Sequence, residues 1–268
     1  MPVEELPLSE AEQALLADAP SPAFLRETRN ALRARHARLN RHLRWFDLEL
    51  PVGQIRVVHD GVLVHLVTNA PDTFEEQAAR TFGFEPAHGA SERIVTEVRQ
   101  VLGGARRGDL LAYLDELAPF QRAILKATAR IPRGEVRPYA WVAREAGSPG
   151  AVRAAGTALG HNPVPLVVPC HRVVRSDWAL GQYSAAGGAE TKARVLRWEG
   201  CDVEGLAAIA HARIAFIGDS ASGSFCLAVC ETLGTVPPES RIAFRTAEAA
   251  LAAGLVPCEH CRPVAMAS

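Results

Sequence analysis

The sequence predicts an α+β protein in three parts: a small N-terminal hairpin-and-helix domain, a helical domain containing a helix-turn-helix, and a small cysteine-rich C-terminal module. Three observations carry this. Apolar runs flank Asp60-Gly61, helical stretches punctuated by Pro and Gly begin at Pro119, and four of the six cysteines fall within the last sixty residues.

The elements follow in order. Residues 9–46 have helical periodicity, interrupted at Ala19-Pro20-Ser21-Pro22, and define an N-terminal extension over 1–46. Its second half, Phe24 to Arg44, is rich in Arg but spaces Leu25, Leu32, Leu39 and Leu43 along one side, the pattern of an amphipathic helix packed on the body. A subdomain over 47–115 follows, with strands at Gln54–His59 and Leu63–Thr68 joined by the Asp-Gly turn. Helices are expected at 72–81 and 91–102, the second stopped by Gly103-Gly104.

Over 116–205 a helix spans Phe120–Arg130. Two short helices, Tyr139–Ala146 and Ala151–Leu159, then flank Gly147-Ser148-Pro149-Gly150 as a helix-turn-helix. The second sets Arg153 among Ala151, Ala154, Ala155, Gly156 and Ala158, a surface small enough to approach another molecule closely. The proline-framed run Asn162 to Pro169 leads straight into Cys170, and a helix at Glu190–Trp198 ends at Glu199-Gly200. The module occupies 209–268.

Composition narrows the class. At 48% hydrophobic and 22% charged, with no apolar run near the ~20 residues of a membrane helix, the chain reads as soluble. Its first twenty residues carry five acids and no Lys or Arg, unlike a secretory signal, so a reducing cytoplasm is expected and the cysteines should serve chemistry or metal. A net charge of −1 hides a basic segment, Pro119 to Arg175, in which Arg122, Lys126, Arg130, Arg133, Arg137, Arg144, Arg153, Arg172 and Arg175 face only Glu135 and Glu145. Such asymmetry suits a polyanionic partner.

A nucleophilic cysteine needs a base or cation nearby, and Cys170 is followed at once by His171 and Arg172. Glu199, at a helix end, is the candidate carboxylate to orient His171. Separately, Cys226-x3-Cys230 and Cys258-x2-Cys261 form two close thiolate pairs suited to tetrahedral Zn²⁺, which would supply folding energy to a module with little core. Cys201 belongs to neither group.

The stretch Pro119–Gly200 resembles the O6-alkylguanine-DNA alkyltransferases (methylated-DNA–protein-cysteine methyltransferases) through PFQRAIL, IPRGEVRPY, GHNPVPLVVPCHRVV, GQYS and LRWEG. The resemblance implies single-turnover DNA repair: an alkyl group passes from guanine O6 in double-stranded DNA to Cys170, with no cofactor for that step and with the protein acting as a monomer. It implies a relay of His171, a bridging water and Glu199, ordering of the site by Asn162, and proton delivery to the departing guanine by Tyr139. Arg153 would replace the extruded base, on a helix whose Ala151, Ala154 and Gly156 face DNA, and Leu159, Val173, Tyr183 and Ser184 would line the pocket. Ala185-Ala186-Gly187-Gly188 departs from the family's Gly-rich loop, and Trp178 stands where small residues are usual, as expected of a surface substitution.

From Ala212 to Pro263 the chain resembles the zinc-binding domain of the adaptive-response (Ada) protein through GSFCLAVC and FRTAEAALAAGLVPCEHCRP. That implies a structural zinc on Cys226, Cys230, Cys258 and Cys261, with Cys226 as a methyl acceptor from phosphotriesters. Here Leu227-Ala228 replaces the usual Arg-Pro, removing a phosphate-contacting cation, and the module follows the alkyltransferase rather than preceding it. The alternatives are a non-catalytic binder of alkylated DNA, or a regulator that uses the module as a methylphosphotriester sensor.

Overall fold

The first described element of the computed structural model is a strand, β1 (Arg44–Leu50), where the sequence predicts the end of a helix. The model describes residues 42–69, 71–105, 112–185 and 187–263, so the helical expectation for residues 9–41 lies outside the described residues. Within RWFDLEL, Phe46 and Leu48 are buried while Asp47 and Glu49 face out. That two-residue period belongs to a strand with one face on the core. The predicted boundary at 46/47 therefore cuts β1, and the described body begins at Leu43.

β1 pairs antiparallel with β2 (Gly53–His59), which pairs with β3 (Val64–Thr68). At the predicted turn the Asp60 carboxylate accepts from the backbone N–H of Val62 and Leu63, both at 2.8 Å, and Gly61 takes φ +93°. A two-residue strand, β4 (Ala87–His88), adds parallel to β1, giving the order β3-β2-β1-β4. Helices α1 (Phe74–Phe82) and α2 (Glu92–Leu102) bury Phe74 and Ala78, and Ile94, Val98, Val101 and Leu102, respectively.

The second part stacks α3 (Pro119–Ala129), α4 (Tyr139–Glu145) and α5 (Val152–Gly160). Pro119 at the first helical position loses no hydrogen bond there. α5 buries Ala155, Ala158 and Leu159 and leaves Arg153 and Ala154 exposed. Two-residue strands β5 (Arg137–Pro138) and β6 (Val173–Val174) pair in parallel, and Cys170–Arg172 form one 3-10 turn just before β6. α6 (Gly188–Trp198) closes this part.

A helix the sequence reading omitted, α7 (Val203–Ala212), runs across the expected break at 205–209, its N-terminus capped by Asp202. Beyond it β7 (Phe216–Asp219), β8 (Ser224–Leu227), β9 (Arg241–Phe244) and β10 (Val256–Pro257) form a sheet in the order β10-β8-β7-β9, with α8 (Ala247–Ala252) against it. The module is no appendage: one apolar core runs from Phe46 through Cys170 to Cys226 and Cys261.

Trp178 corrects a second expectation. It is 3% exposed, takes φ +65°, and donates its indole N–H to the Ile214 carbonyl at 2.8 Å. The ring fills the seam between the second part and the module rather than decorating the surface. Trp178→Phe keeps most of the ring but strands the Ile214 carbonyl; we expect a loss of about 1–3 kcal/mol in urea denaturation.

Candidate active site and metal site

Cys170 lies at the inner end of the proline-framed segment, which Asn162 ties together. The Asn162 side chain donates to the Val168 carbonyl at 2.8 Å and accepts from the Val164 N–H at 3.1 Å. The same side chain lies beside the Cys170 thiol and favours its ionised form. Between these anchors Leu166 is held at φ +71°, a left-handed conformation that a branched side chain adopts at a cost of about 1–2 kcal/mol. The strain persists because Val168 N–H to Val164 O and Cys170 N–H to Val168 O, both 2.9 Å, fix the chain on either side.

Behind the thiol the polar groups are all buried. His171 is fully inaccessible; its Nε2 stands 3.1 Å from Glu199 Oε2, and its Nδ1 has no partner among the described residues. Glu199 also receives a two-pronged contact from Arg172, Nε to Oε2 at 2.8 Å and Nη2 to Oε1 at 2.7 Å. Arg172 in turn donates to the Ile131 carbonyl at 2.6 Å, and Arg133 donates to the carbonyls of Trp198 and Glu199. Burial alone would raise the Glu199 carboxyl, but its contacts with His171 and the Arg172 guanidinium outweigh it and hold it at about 2. Burial depresses His171, against the pull of Glu199, so the ring is neutral and able to accept a proton. Burial pushes the Cys170 thiol up, opposed by the Asn162 side chain and the charge of Lys192.

Lys192 is a residue the sequence reading missed. Its ammonium is fully buried and donates to the Val173 carbonyl at 2.6 Å and the Leu180 carbonyl at 2.5 Å; burial brings it down to about 8. Arg172 was read as a cation beside Cys170 and as part of the basic segment, not as the partner of Glu199. A lysine four residues after a helix start gives no signal of burial, whereas Arg172, next to His171, could have been paired with Glu199 by the same reasoning that paired His171.

A cavity of about 190 Å³ opens onto Cys170, with Tyr139, Gly156, Leu159, Tyr183 and Ser184 among its walls. Gly160 and Gln182 also line it and were not predicted. Val173 is the one expected pocket residue outside it: fully buried in β6, paired with Arg137, its side chain enters the core. Burial, and then Cys170, raise the Tyr139 and Tyr183 hydroxyls, so both stay protonated as donors. A methyl added at Gly156 would meet the Tyr139 ring at 3.7 Å, ordinary contact, so Gly156 keeps the surface low rather than avoiding a clash.

The basic segment shrinks on inspection. Arg137 is buried against Glu135, Arg172 against Glu199, Arg144 donates to module carbonyls, Arg122 donates to the Asp115 and Leu117 carbonyls, and Arg175 pairs with Asp177. Lys126, Arg130 and Arg153 remain exposed, and none has a side-chain partner among the described residues. Much of the charge read as a footprint for a polyanion therefore holds the fold together.

In the module, Cys226, Cys230, Cys258 and Cys261 bring their sulfurs within 4.8 Å of one another, placed to hold a metal ion. Four sulfurs at ~2.3 Å from one tetrahedral centre lie ~3.8 Å apart, which this cluster fits. The donors around it suit thiolates: the Leu227 N–H points to Cys261 Sγ at 3.3 Å, and the Thr232 hydroxyl stands 3.0 Å from Cys230 Sγ and 3.3 Å from Cys226 Sγ. The contact with Cys230 pushes the Cys226 thiol up, and four thiolates this close repel one another unless a cation lies between them.

A buried thiol under a helix-turn-helix, backed by a histidine and a carboxylate and open to a small cavity, defines a cysteine-nucleophile protein with a nucleic-acid-binding architecture. A family model described as the 6-O-methylguanine DNA methyltransferase DNA-binding domain matches residues 119–201. A methylated-DNA–protein-cysteine methyltransferase of Mycobacterium bovis is 33% identical over 156 residues, 57% of this chain and 89% of that protein. One of Methanothermobacter thermautotrophicus is 41% identical over 118 residues, 43% of this chain and 65% of that protein, so this chain spans just under two thirds of that relative. A crystal structure of Mycobacterium tuberculosis OGT in complex with DNA aligns with TM-score 0.46 and 28% identity, over 61% of this chain and 98% of that one. The chain belongs to the methylated-DNA–protein-cysteine methyltransferase family. No helix among the described residues is long and apolar enough to cross a membrane.

Proposed function

We propose that the protein repairs alkylated double-stranded DNA by one irreversible transfer of an alkyl group from guanine O6 to Cys170. The observation that carries this is Cys170 at the wall of a 190 Å³ cavity, with the neutral His171 and ionised Glu199 behind it. A guanine turned out of the duplex enters that cavity, which excludes water and aligns sulfur with the alkyl carbon. His171 accepts the thiol proton, directly or through one water, while Glu199 stays ionised and steadies the imidazolium. The S–C bond forms as the C–O6 bond breaks, the electron pair stays on the purine, and Tyr139 supplies a proton to the departing base. A thioether has no comparable leaving group, so each molecule acts once.

Arg153 is exposed on α5 beside Ala151, Ala154 and Gly156, a helix face low enough for a minor groove, and enters the stack where the base has left. Arg153→Ala is expected to weaken binding of O6-methylguanine duplex about tenfold in a fluorescence titration, and to leave the reaction with free O6-methylguanine base unchanged. The four module cysteines hold a structural zinc, which supplies folding free energy when bound. The function is tested by incubating the protein with O6-methylguanine duplex and mapping the mass of one added methyl among its peptides. Methyl on Cys170 is expected; a folded protein that binds the duplex and gains no methyl is a lesion binder instead.

A further inference from the structure

Apart from the Trp178 bond to Ile214, the polar links between the module and the rest of the described molecule end on one short helix or the loop before it. The Trp141 indole N–H in α4 donates to the backbone carbonyl of Cys261 at 2.8 Å. Arg144, at the end of α4, donates to the carbonyls of Arg262 and Pro263, and Arg262 returns an ion pair to Glu145. Just before α4, the buried Glu135 accepts from His260 at 3.0 Å while its other oxygen meets Arg137 at 2.5 Å. The turn that carries two of the four cysteines is therefore bolted to the first helix of the helix-turn-helix.

That helix needs outside support. α4 has seven residues, begins after Pro138, and has no side-chain cap at its N-terminus. A helix this short does not persist on its own propensity. Its first residue is Tyr139, in the wall of the Cys170 cavity, and α5 with Arg153 packs on it.

The module is meanwhile poorly equipped to meet DNA itself. Residues 209–263 contain no lysine and four arginines against five acids. Arg241 is spent on the Leu233 and Val236 carbonyls, and Arg262 on Glu145. Cys226 is 5% exposed in the interior strand β8, followed by buried Leu227 and Ala228 in the core shared with Trp141.

We propose that the four-cysteine module is an intramolecular brace for the helix-turn-helix: with its metal bound it holds α4 in the DNA-binding arrangement, and it accepts no alkyl group of its own. This rests on the zinc reading of the cysteines and on the DNA-repair function proposed above. The role of Trp141, Arg144 and Glu135 is positioning, exerted through α4.

The test uses the full chain, with methyl transfer to Cys170 established first and metal content then measured by elemental analysis before and after chelation. Removing the metal is expected to speed amide hydrogen exchange across 140–146 by at least about tenfold while the amides of 94–102 in α2 keep their protection. Duplex binding is expected to weaken by about tenfold, while Cys170 keeps its rate of reaction with iodoacetamide. In the metal-loaded chain, Trp141→Phe removes one bond to the module without touching a thiol and should weaken duplex binding about fivefold. Incubation with methylphosphotriester duplex should leave Cys226 unmodified. A chain that holds no metal overturns the zinc reading on which the brace stands. A chain that loses its metal with α4 protection and duplex affinity unchanged overturns the brace itself, as does methyl found on Cys226.

Discussion

Glu199→Gln is expected to cost about 3 kcal/mol of stability at neutral pH and to slow methyl transfer by about 10²-fold or more. The carboxylate faces two buried cationic or proton-accepting groups at once, His171 at 3.1 Å and Arg172 through two bonds. An amide can accept from Arg172 but cannot offset its charge, nor stabilise the imidazolium formed when His171 takes the thiol proton. The pH dependence gives an independent reading. Glu199 sits at about 2 in the folded protein against an ordinary 4.5. A carboxylate depressed by folding contributes its full stability above the unfolded value and loses it as pH falls through the folded one. The wild-type protein should therefore lose about 3 kcal/mol from this group between pH 4.5 and 2, and the variant none over the same window. Urea denaturation at several pH values measures the first effect, single-turnover transfer at saturating duplex the second. A variant with wild-type acid sensitivity would mean that other carboxylates carry it.

Much of the site was readable because its signals are local. Cys170 and His171 are adjacent, the prolines lie within the seven residues before them, and Glu199 follows a helix whose end Gly200 marks. The Asp60-Gly61 turn was readable for the same reason. What escaped was the consequence of distant packing. Arg44 to Leu50 joins an Arg-rich run with helical spacing, and the alternation of Phe46 and Leu48 matters only once β2 lies beside it. Trp178 lies 36 residues from Ile214, and Trp141 lies 120 residues from Cys261, so nothing in either neighbourhood announces the bond. The basic segment misled in one respect. Charge along a sequence does not separate an arginine aimed at solvent, such as Arg153, from one buried on a carboxylate, such as Arg137.

The segment that presents the thiol should prove as sensitive as the relay behind it. Asn162→Ala is expected to slow transfer about 10²-fold and to cost about 2–4 kcal/mol of stability. The side chain bonds the Val168 carbonyl and the Val164 N–H and also favours the ionised Cys170 thiol, and alanine replaces none of this. Without it only the backbone bonds of Val168 to Val164 and of Cys170 to Val168 hold the left-handed Leu166, and the 163–169 segment can relax by moving the residue that follows it, Cys170. In-line displacement tolerates such a shift poorly, because sulfur, carbon and leaving oxygen must stay nearly collinear. The thiol also loses a donor that favours its ionised form, so its reaction with iodoacetamide should move to higher pH in Asn162→Ala. Asn162→Asp separates the two causes. It keeps an acceptor for Val164 while placing a negative charge against the sulfur, so the thiol should shift upward further than in alanine although the segment is better held. If alanine slowed transfer with no change in the pH of thiol alkylation, Asn162 would act by geometry alone. If neither variant altered transfer, the prolines alone would be holding Cys170 in line.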